Sequence, residues 1–349
     1  MPDLAERFAA NPILTPEDVA PSRPNLRVTC VLNPGAFTFA DKTWLVLRVA
    51  EGLPACETVL SAVMLDPTTS SGVRLLEARI GDPGLEAGDA RGFRYLGRSY
   101  LTTLSHLRLA SSSDGVRFRV ESMPAFEGLG PRETFGVEDC RVTELDGRFQ
   151  LLYTAVSADG FGVGLASTTD WRTFERKGML LAPPNKDCVL FQERIDGRYA
   201  MLHRPSAPEL GGNNMWLARS PDLVHWGEHE CIVRTRPGMW DSVRIGAGPP
   251  PVRIPEGWLA IYHAADDRDR YCLGGLLLDA DDPSRVVGRS RVPVMEPLED
   301  YEIGGFYGNV IFATGVIATC DRMTLYYGAA DSSVCGATLS IKSILHGLE

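Results

Sequence analysis

Two carboxyls stand side by side in Phe135-Gly136-Val137-Glu138-Asp139-Cys140-Arg141, the densest charged segment of the chain. In an extended strand, neighbouring side chains point to opposite faces. One carboxyl of the pair then faces a site, while the other anchors backbone or pairs with Arg141. A carboxyl in a partly dry pocket keeps its proton near neutrality and can serve as a general acid. The plain alternative is a surface turn closed by a salt bridge. A second group is cationic: Lys186, Arg204, Arg244 and His263. Brought together, they make a basic pocket suited to a small anion; apart, they are four unrelated surface cations. A third group sits at the ends of apolar strands: Arg48, Thr154, His203, Arg204, His263 and Asp331. A lone Arg or His at a strand end is usually a satisfied hydrogen-bonder, so only a shared phase would give these residues a common purpose.

A repeat supplies that phase. Leu109-Ala110-Ser111-Ser112-Ser113-Asp114 is followed four residues after the Asp by Phe118. The same pattern returns as Leu165 to Asp170 with Phe174, and as Leu217 to Asp222 with Trp226, the copies lying 56 and 52 residues apart. Each reads as a strand, a turn set by Ser/Thr and Asp, and an aromatic that packs after the turn. A second element runs in step. Asp146-Gly147 leads into Leu151–Ala155, Asp196-Gly197 into Ala200–Pro205, Gly257 into Ala260–Ala265, Asp321 into Leu325–Asp331, and Asp41 into Leu45–Ala50. Asp-Gly between β-rich runs signals a hairpin. One unit of a few antiparallel strands per roughly 50–60 residues describes a β-propeller blade. The predicted fold class is all-β, a five-bladed β-propeller forming one catalytic domain over 1–349. A hairpin at Leu96–Thr103 leaves the count open between five and six. Five follows if residues 64–98 are an insertion in the first blade. Helical patterns are short, at Leu4–Phe8 and Ile341–Leu348.

Composition narrows the function classes. The chain has 349 residues, 44% hydrophobic and 23% charged, with 35 Gly and 24 Pro, an ordinary globular balance rich in turns. A net charge of −10 argues against nucleic acid as partner, since that binding runs on clustered Lys and Arg. The eight cysteines show no CxxC spacing, so neither a metal site nor a disulfide framework is expected. Cys30, Cys188, Cys272 and Cys335 sit in apolar runs and read as buried thiols. No signal peptide and no membrane-length apolar run are visible, which points to a cytoplasmic chain with no membrane partner.

In order and spacing, several segments resemble glycoside hydrolase family 130, the β-mannoside phosphorylases and β-mannosidases. They are Asn33-Pro34-Gly35-Ala36, Leu47-Arg48-Val49, Gly136–Thr143, Asn185–Phe191, Met201–Pro205, Asp222–Trp226, Ile245–Gly248, Gly257–His263, Leu276–Asp279 and Tyr326–Asp331. Singly each is weak; together they cover about residues 11–340. The resemblance implies a five-bladed propeller and inverting phosphorolysis of β-1,2- or β-1,4-linked manno-oligosaccharides to α-D-mannose 1-phosphate. It implies inorganic phosphate as co-substrate and no cofactor. By position, Asp139 matches the general acid, whose proton is implied to pass through a sugar hydroxyl. Asn33, Arg48, Asp187 and Asp331 match positions around the glycon mannose. Lys186, Arg204, Arg244, His263 and Tyr271 match or lie near phosphate-holding positions. Two departures stand out: Cys140 where the family has Pro, and Ala264 after His263 in place of Gly. A hydrolase of the same family is the rival, needing a second carboxylate to activate water; Glu193 and Asp187 keep it open. A non-catalytic sugar-binding propeller is the rival of another class. Linkage, acceptor sugar and oligomeric state, including a homo-oligomer, are left open.

Overall fold

The computed structural model describes residues 3–349, whose regular elements are nearly all β-strands. The repeated turns come out alike. Ser112 Oγ accepts from the amides of Asp114 and Gly115, and Asp114 Oδ1 accepts from Val116 and Arg117. Thr168 and Asp170 repeat this with Trp171, Arg172 and Thr173. Ser220 and Asp222 repeat it with Leu223, Val224 and His225. These side chains supply the acceptors that a reversing backbone lacks. The aromatics then pack inward, Phe118 edge-on to Tyr326 at 5.6 Å and Phe174 to Phe126 at 5.3 Å. Both Asp-Gly pairs have positive φ at the two positions, as a tight hairpin requires: 52° and 72° at Asp146-Gly147, 50° and 72° at Asp196-Gly197.

The strands form four larger sheets. In one, Asn185–Leu190, Tyr199–Pro205, Met215–Ser220 and Gly227–Val233 run in sequence order. In a second, Arg244–Ala247, Gly257–Ala265, Tyr271–Leu278 and Val286–Arg289 do the same, with Val252–Ile254 added beside Gly257–Ala265. A third holds Ile311–Thr319, Arg322–Ala329 and Ser333–Ser340, and its edge is taken by Glu6–Arg7 from the other end of the sequence. The fourth has eight strands. It divides naturally into two groups, because Gly136–Leu145 meets Leu104–Ser112 only through the pairing Gly136↔Ser105.

The first strand of each group lies against its neighbours. Arg27–Phe39 packs on Gly136–Leu145 and on Ile311–Thr319; Gly136–Leu145 packs on Asn185–Leu190, and that strand on Arg244–Ala247. Apolar cores fill the space between consecutive sheets, such as Val189, Leu202 and Leu217 against Ile245, Trp258 and Tyr262. Residues 59–101 stand apart as two small sheets, Val59–Leu65 with Val73–Arg79, and Leu85–Ala87 with Gly92–Tyr95 and Arg98–Leu101.

Ile341–His346 is helical, capped by Ser340, but the helix expected at Leu4–Phe8 is instead the strand Glu6–Arg7. Pairing with Thr338 and Ala337 outweighs a pattern too short to hold a helix in water. Cys30, Cys188, Cys272 and Cys335 are buried, as is Cys140.

Candidate active site

Four site residues share an unusual backbone. Asn33, Asp139 and Asp187 have φ of 45°, 48° and 54°, and Asp331 has 49°. The first three sit where an inner strand loses register with its partner, between Leu32 and Gly35, Glu138 and Arg141, and Lys186 and Val189. Such bulges need a residue that accepts the left-handed region, and Asn and Asp do so best after glycine. The bulge also breaks the alternation of side chains. Glu138 and Asp139 were expected on opposite faces. Instead both reach Arg48, with Nη2 at 2.7 Å from Glu138 Oε1 and Nη1 at 3.1 Å from Asp139 Oδ1. Asn33 Nδ2 donates to the same Asp139 oxygen at 2.8 Å, and Arg48 Nε donates to Ser105 Oγ at 3.1 Å.

This group lines a cavity of about 300 Å³. Asn33, Arg48, Glu138, Asp139, Lys186 and Asp331 supply its polar wall, Phe161, Tyr271, Phe306, Tyr307 and Phe312 its aromatic wall, and Arg91 and Thr103 complete it. Burial pushes Asp139 up, but Arg48, Lys186, Arg141 and the Asn33 hydrogen bond more than offset this and hold it below the ordinary carboxylate range. Burial raises Glu138 despite Arg48, and the charge of Asp139 adds to the rise. Burial likewise takes Asp331 from 3.8 to about 6, with Asp139 adding and Arg48 opposing. Within this group a proton is thus held more readily by Glu138 or Asp331 than by Asp139.

A second cluster lies behind the first. Asp187 is fully buried, and both its oxygens are taken: Arg204 Nη1 at 2.8 Å and His263 Nε2 at 3.1 Å on Oδ2, and Arg141 Nη2 at 3.4 Å on Oδ1. Burial would raise Asp187, but Arg204, the His263 hydrogen bond and Lys186 hold it well below the usual range. Since a carboxylate only accepts, His263 donates its Nε2 hydrogen. Burial lowers the His263 pKa to about 4, so the ring is neutral, and its Nδ1 has no partner among the described residues. Gly246 makes the room, because a Cβ there would collide with Asp187 Oδ2 and His263 Nε2. Arg141 joins the two clusters, donating from Nη1 to the Asp139 carbonyl at 2.9 Å and from Nη2 to that of Ala247 at 2.9 Å.

Of the residues singled out in the sequence, Asn33, Arg48, Asp139, Lys186, Tyr271 and Asp331 line the cavity. Arg244 stands one step back, donating to Tyr271 Oη at 2.7 Å and pairing with Asp269 at 2.8 Å. Asp187, expected at the sugar, and His263, expected at phosphate, are both sealed in the second cluster, where each satisfies the other. Arg204 is there too, held by Asp187. His203 turns away to Asn185 and to His229 at 3.0 Å, and Thr154 lies opposite Glu138 in the sheet. Glu193 pairs with Arg253 at 3.6 Å and is absent from the cavity lining. Arg141 does not pair with Glu138, because its guanidinium is committed to Asp187 and three carbonyls. The sequence reading missed Arg91 and the aromatics other than Tyr271; a signal for Phe306 and Tyr307 exists in Gly304-Gly305-Phe306-Tyr307-Gly308, bulky rings in a glycine run.

The family model described as beta-1,4-mannooligosaccharide phosphorylase, Glyco_hydro_130, matches residues 93–349. The chain is 39% identical to a beta-1,2-mannobiose phosphorylase of Listeria innocua over 98% of each sequence. It is 39% identical to a 1,2-beta-oligomannan phosphorylase of Thermoanaerobacter over 69% of this chain and 80% of that one. The solved structure of the Listeria innocua enzyme with beta-1,2-mannobiose superposes with a TM-score of 0.95 at 38% identity, covering 98% of both chains. A matched profile over most of the sequence, and a relative this similar from end to end, leave one assignment: the chain belongs to glycoside hydrolase family 130.

Proposed function

We propose that the protein cleaves β-mannosides by inverting phosphorolysis, releasing α-D-mannose 1-phosphate, with β-1,2-linked manno-oligosaccharides as its substrates. The observation that carries this is the placing of an acid, Asp139, and a cation, Lys186, on the wall of one cavity from two adjoining inner strands. Phosphate attacks the anomeric carbon opposite the leaving sugar, the glycosidic C–O bond breaks, and the proton of Asp139 goes to the leaving oxygen, through a sugar hydroxyl. Phosphate is already an anionic nucleophile, so no base is needed, unlike in inverting hydrolysis. The β-1,2 linkage is favoured because the relatives aligned at 39% are named for it.

In this reading Asn33, Arg48 and Asp331 hold the glycon, and Lys186 and Tyr271 receive phosphate at the cavity wall, with Arg204 and Arg244 adding positive charge from behind it. Asp187 and His263 act through Arg204, fixing its guanidinium. The low pKa of Asp139 is then part of the cycle. An anion arriving beside Lys186 opposes one of the charges that keep the carboxyl ionised, after that of Arg48, so phosphate binding favours protonation of the acid.

The scaffold in this reading is a five-bladed propeller, one domain with residues 59–101 added to it. Support comes from the single bridge that divides the eight-stranded sheet, and from the contacts of the first strands around a common centre.

The test is to incubate purified protein with β-1,2-mannobiose with and without phosphate and to look for mannose 1-phosphate. Sugar release that ignores phosphate would mean hydrolysis; no turnover of β-1,2- or β-1,4-linked substrate would leave a sugar-binding protein.

A further inference from the structure

Arg91 is the one charged cavity residue brought in by residues 59–101, beside the apolar Leu101, and its setting is built. It lies in the turn between Leu85–Ala87 and Gly92–Tyr95. Asp89 takes the Arg91 amide at 2.9 Å, Nε at 3.1 Å and Nη2 at 2.6 Å. Thr102 ties the turn to the main body, donating its amide to the Arg91 carbonyl at 3.1 Å and its hydroxyl to that of Ala90 at 2.7 Å. The guanidinium carbon lies 3.8 Å from the ring centroid of Tyr307. Tyr307 is fixed in turn, its amide donating to the Ala330 carbonyl at 3.0 Å, one residue before Asp331. Two segments more than two hundred positions apart in sequence thus meet face to face at the rim. Nη1 of Arg91 makes no hydrogen bond among the described residues, and the group borders the cavity.

The position says what that donor meets. Asn33 and Asp139, 3% exposed each, mark the deep end of the cavity, where the cleaved bond must lie. The Arg91 side chain is 41% exposed and marks the open end. A sugar that leaves, or that carries the rest of an oligosaccharide outward, occupies the space between. Arg91 is poorly suited to phosphate, because Asp89 already offsets its charge; Lys186 lines the same cavity without that constraint. A guanidinium held over a ring presents a rigid, planar donor edge and loses little freedom on binding a hydroxyl.

We propose that Arg91, held over the Tyr307 ring, binds the leaving sugar and sets which acceptor the enzyme uses in the reverse reaction. This rests on the phosphorolysis reading and deepens it. The experiment is synthesis from α-mannose 1-phosphate and mannose, varying each in turn. Arg91→Ala should raise the KM for mannose about tenfold or more, as expected for a lost charged hydrogen bond, with the KM for α-mannose 1-phosphate within twofold. Tyr307→Ala should reproduce the effect, and Arg91→Lys should fall between, since an ammonium keeps the charge without the flat fork. Should the alanine variant fail to fold by thermal melting, Arg91→Lys alone carries the test. An equal rise in both constants, no rise in either, or a selective rise in the KM for phosphate in the forward direction would overturn the assignment. Wild-type protein inactive in both directions would instead remove the phosphorolysis reading beneath it.

Discussion

Two ionic clusters lie back to back in this protein, built from the same kinds of side chain in opposite proportion. Around Arg48, three carboxyls, Glu138, Asp139 and Asp331, share a single guanidinium. Around Asp187, a single carboxylate meets Arg141, Arg204 and the imidazole of His263. The first cluster borders the cavity, and Asp187 and His263 lie fully buried behind it. Burial raises Glu138 and Asp331 while Arg48 and Lys186 hold Asp139 low; in the second cluster Arg204 holds Asp187 low and burial lowers His263. A proton is therefore held more readily in the first cluster than in the second. An excess of carboxyl suits a place where a glycosyl carbon becomes positive and a leaving oxygen needs a proton. An excess of cation suits a place beside an incoming anion. The sign of the local surplus, more than the identity of any one residue, separates the two tasks.

That contrast can be broken at four points. Asp139→Asn should give the largest effect, a loss of roughly 10²–10⁴ in turnover with the melting temperature nearly unchanged; more than about a tenth of wild-type activity remaining would move the acid elsewhere. Asp187→Asn comes next and acts on stability. It leaves buried cations unopposed and should cost on the order of 3–5 kcal/mol in denaturant unfolding; a loss below about 1 kcal/mol would mean the second cluster does not depend on its carboxylate. Lys186→Ala should raise the KM for phosphate by about 10- to 100-fold while that for the mannoside changes little, and equal changes would merge the two regions into one.

The smallest effect is expected at Asp331, and its sign is opposite to that at Asp187. The folded chain raises this carboxyl from 3.8 to about 6, so the native state keeps a proton that the unfolded chain releases. The stability due to that proton is fully present below about pH 4 and is lost as pH rises through 6. Asparagine does not titrate, so Asp331→Asn should gain on wild type across that window, by roughly 1–3 kcal/mol, and then hold level. Melting curves in which the gap narrows between pH 4 and 6 would remove the argument.

Much of the scaffold was legible because it is written in short range. The Ser/Thr and Asp turns after Leu109, Leu165 and Leu217 carry their own hydrogen bonds, so three copies announce three equivalent strands. The Asp-Gly hairpins are local for the same reason. The site was legible only in part. Arg48 and Asp331 emerge from strand ends in phase, but the same rule also selects His203, which faces Asn185 and His229. The rule fails because bulges at Asn33, Asp139 and Asp187 reset which side chain points inward. Depth is invisible as well. Nothing local tells Asp139, which meets the cavity, from Asp187, which is sealed behind it; that difference is made by Arg204 and His263 from other strands. Arg91 had no local signal at all, since its partner Tyr307 comes from the far side of the sequence.

The strand Glu6–Arg7 closes the sheet of Ile311–Ser340, and Arg7 grips Asp3 and Glu302 while donating to the Glu296 carbonyl. Glu302 belongs to the segment that leads to Tyr307 at the rim of the cavity. The segment leading to the rim is therefore clasped by a strand whose ladder partners, Thr338 and Ala337, stand more than three hundred positions away, so this contact forms only after a very long loop has closed. Contacts of such separation form slowly, because the loop between them must close before they stabilise anything. A chain cut short of residues 333–340 loses the pairing partners of Glu6–Arg7, and with them the anchor that lets Arg7 hold Glu302.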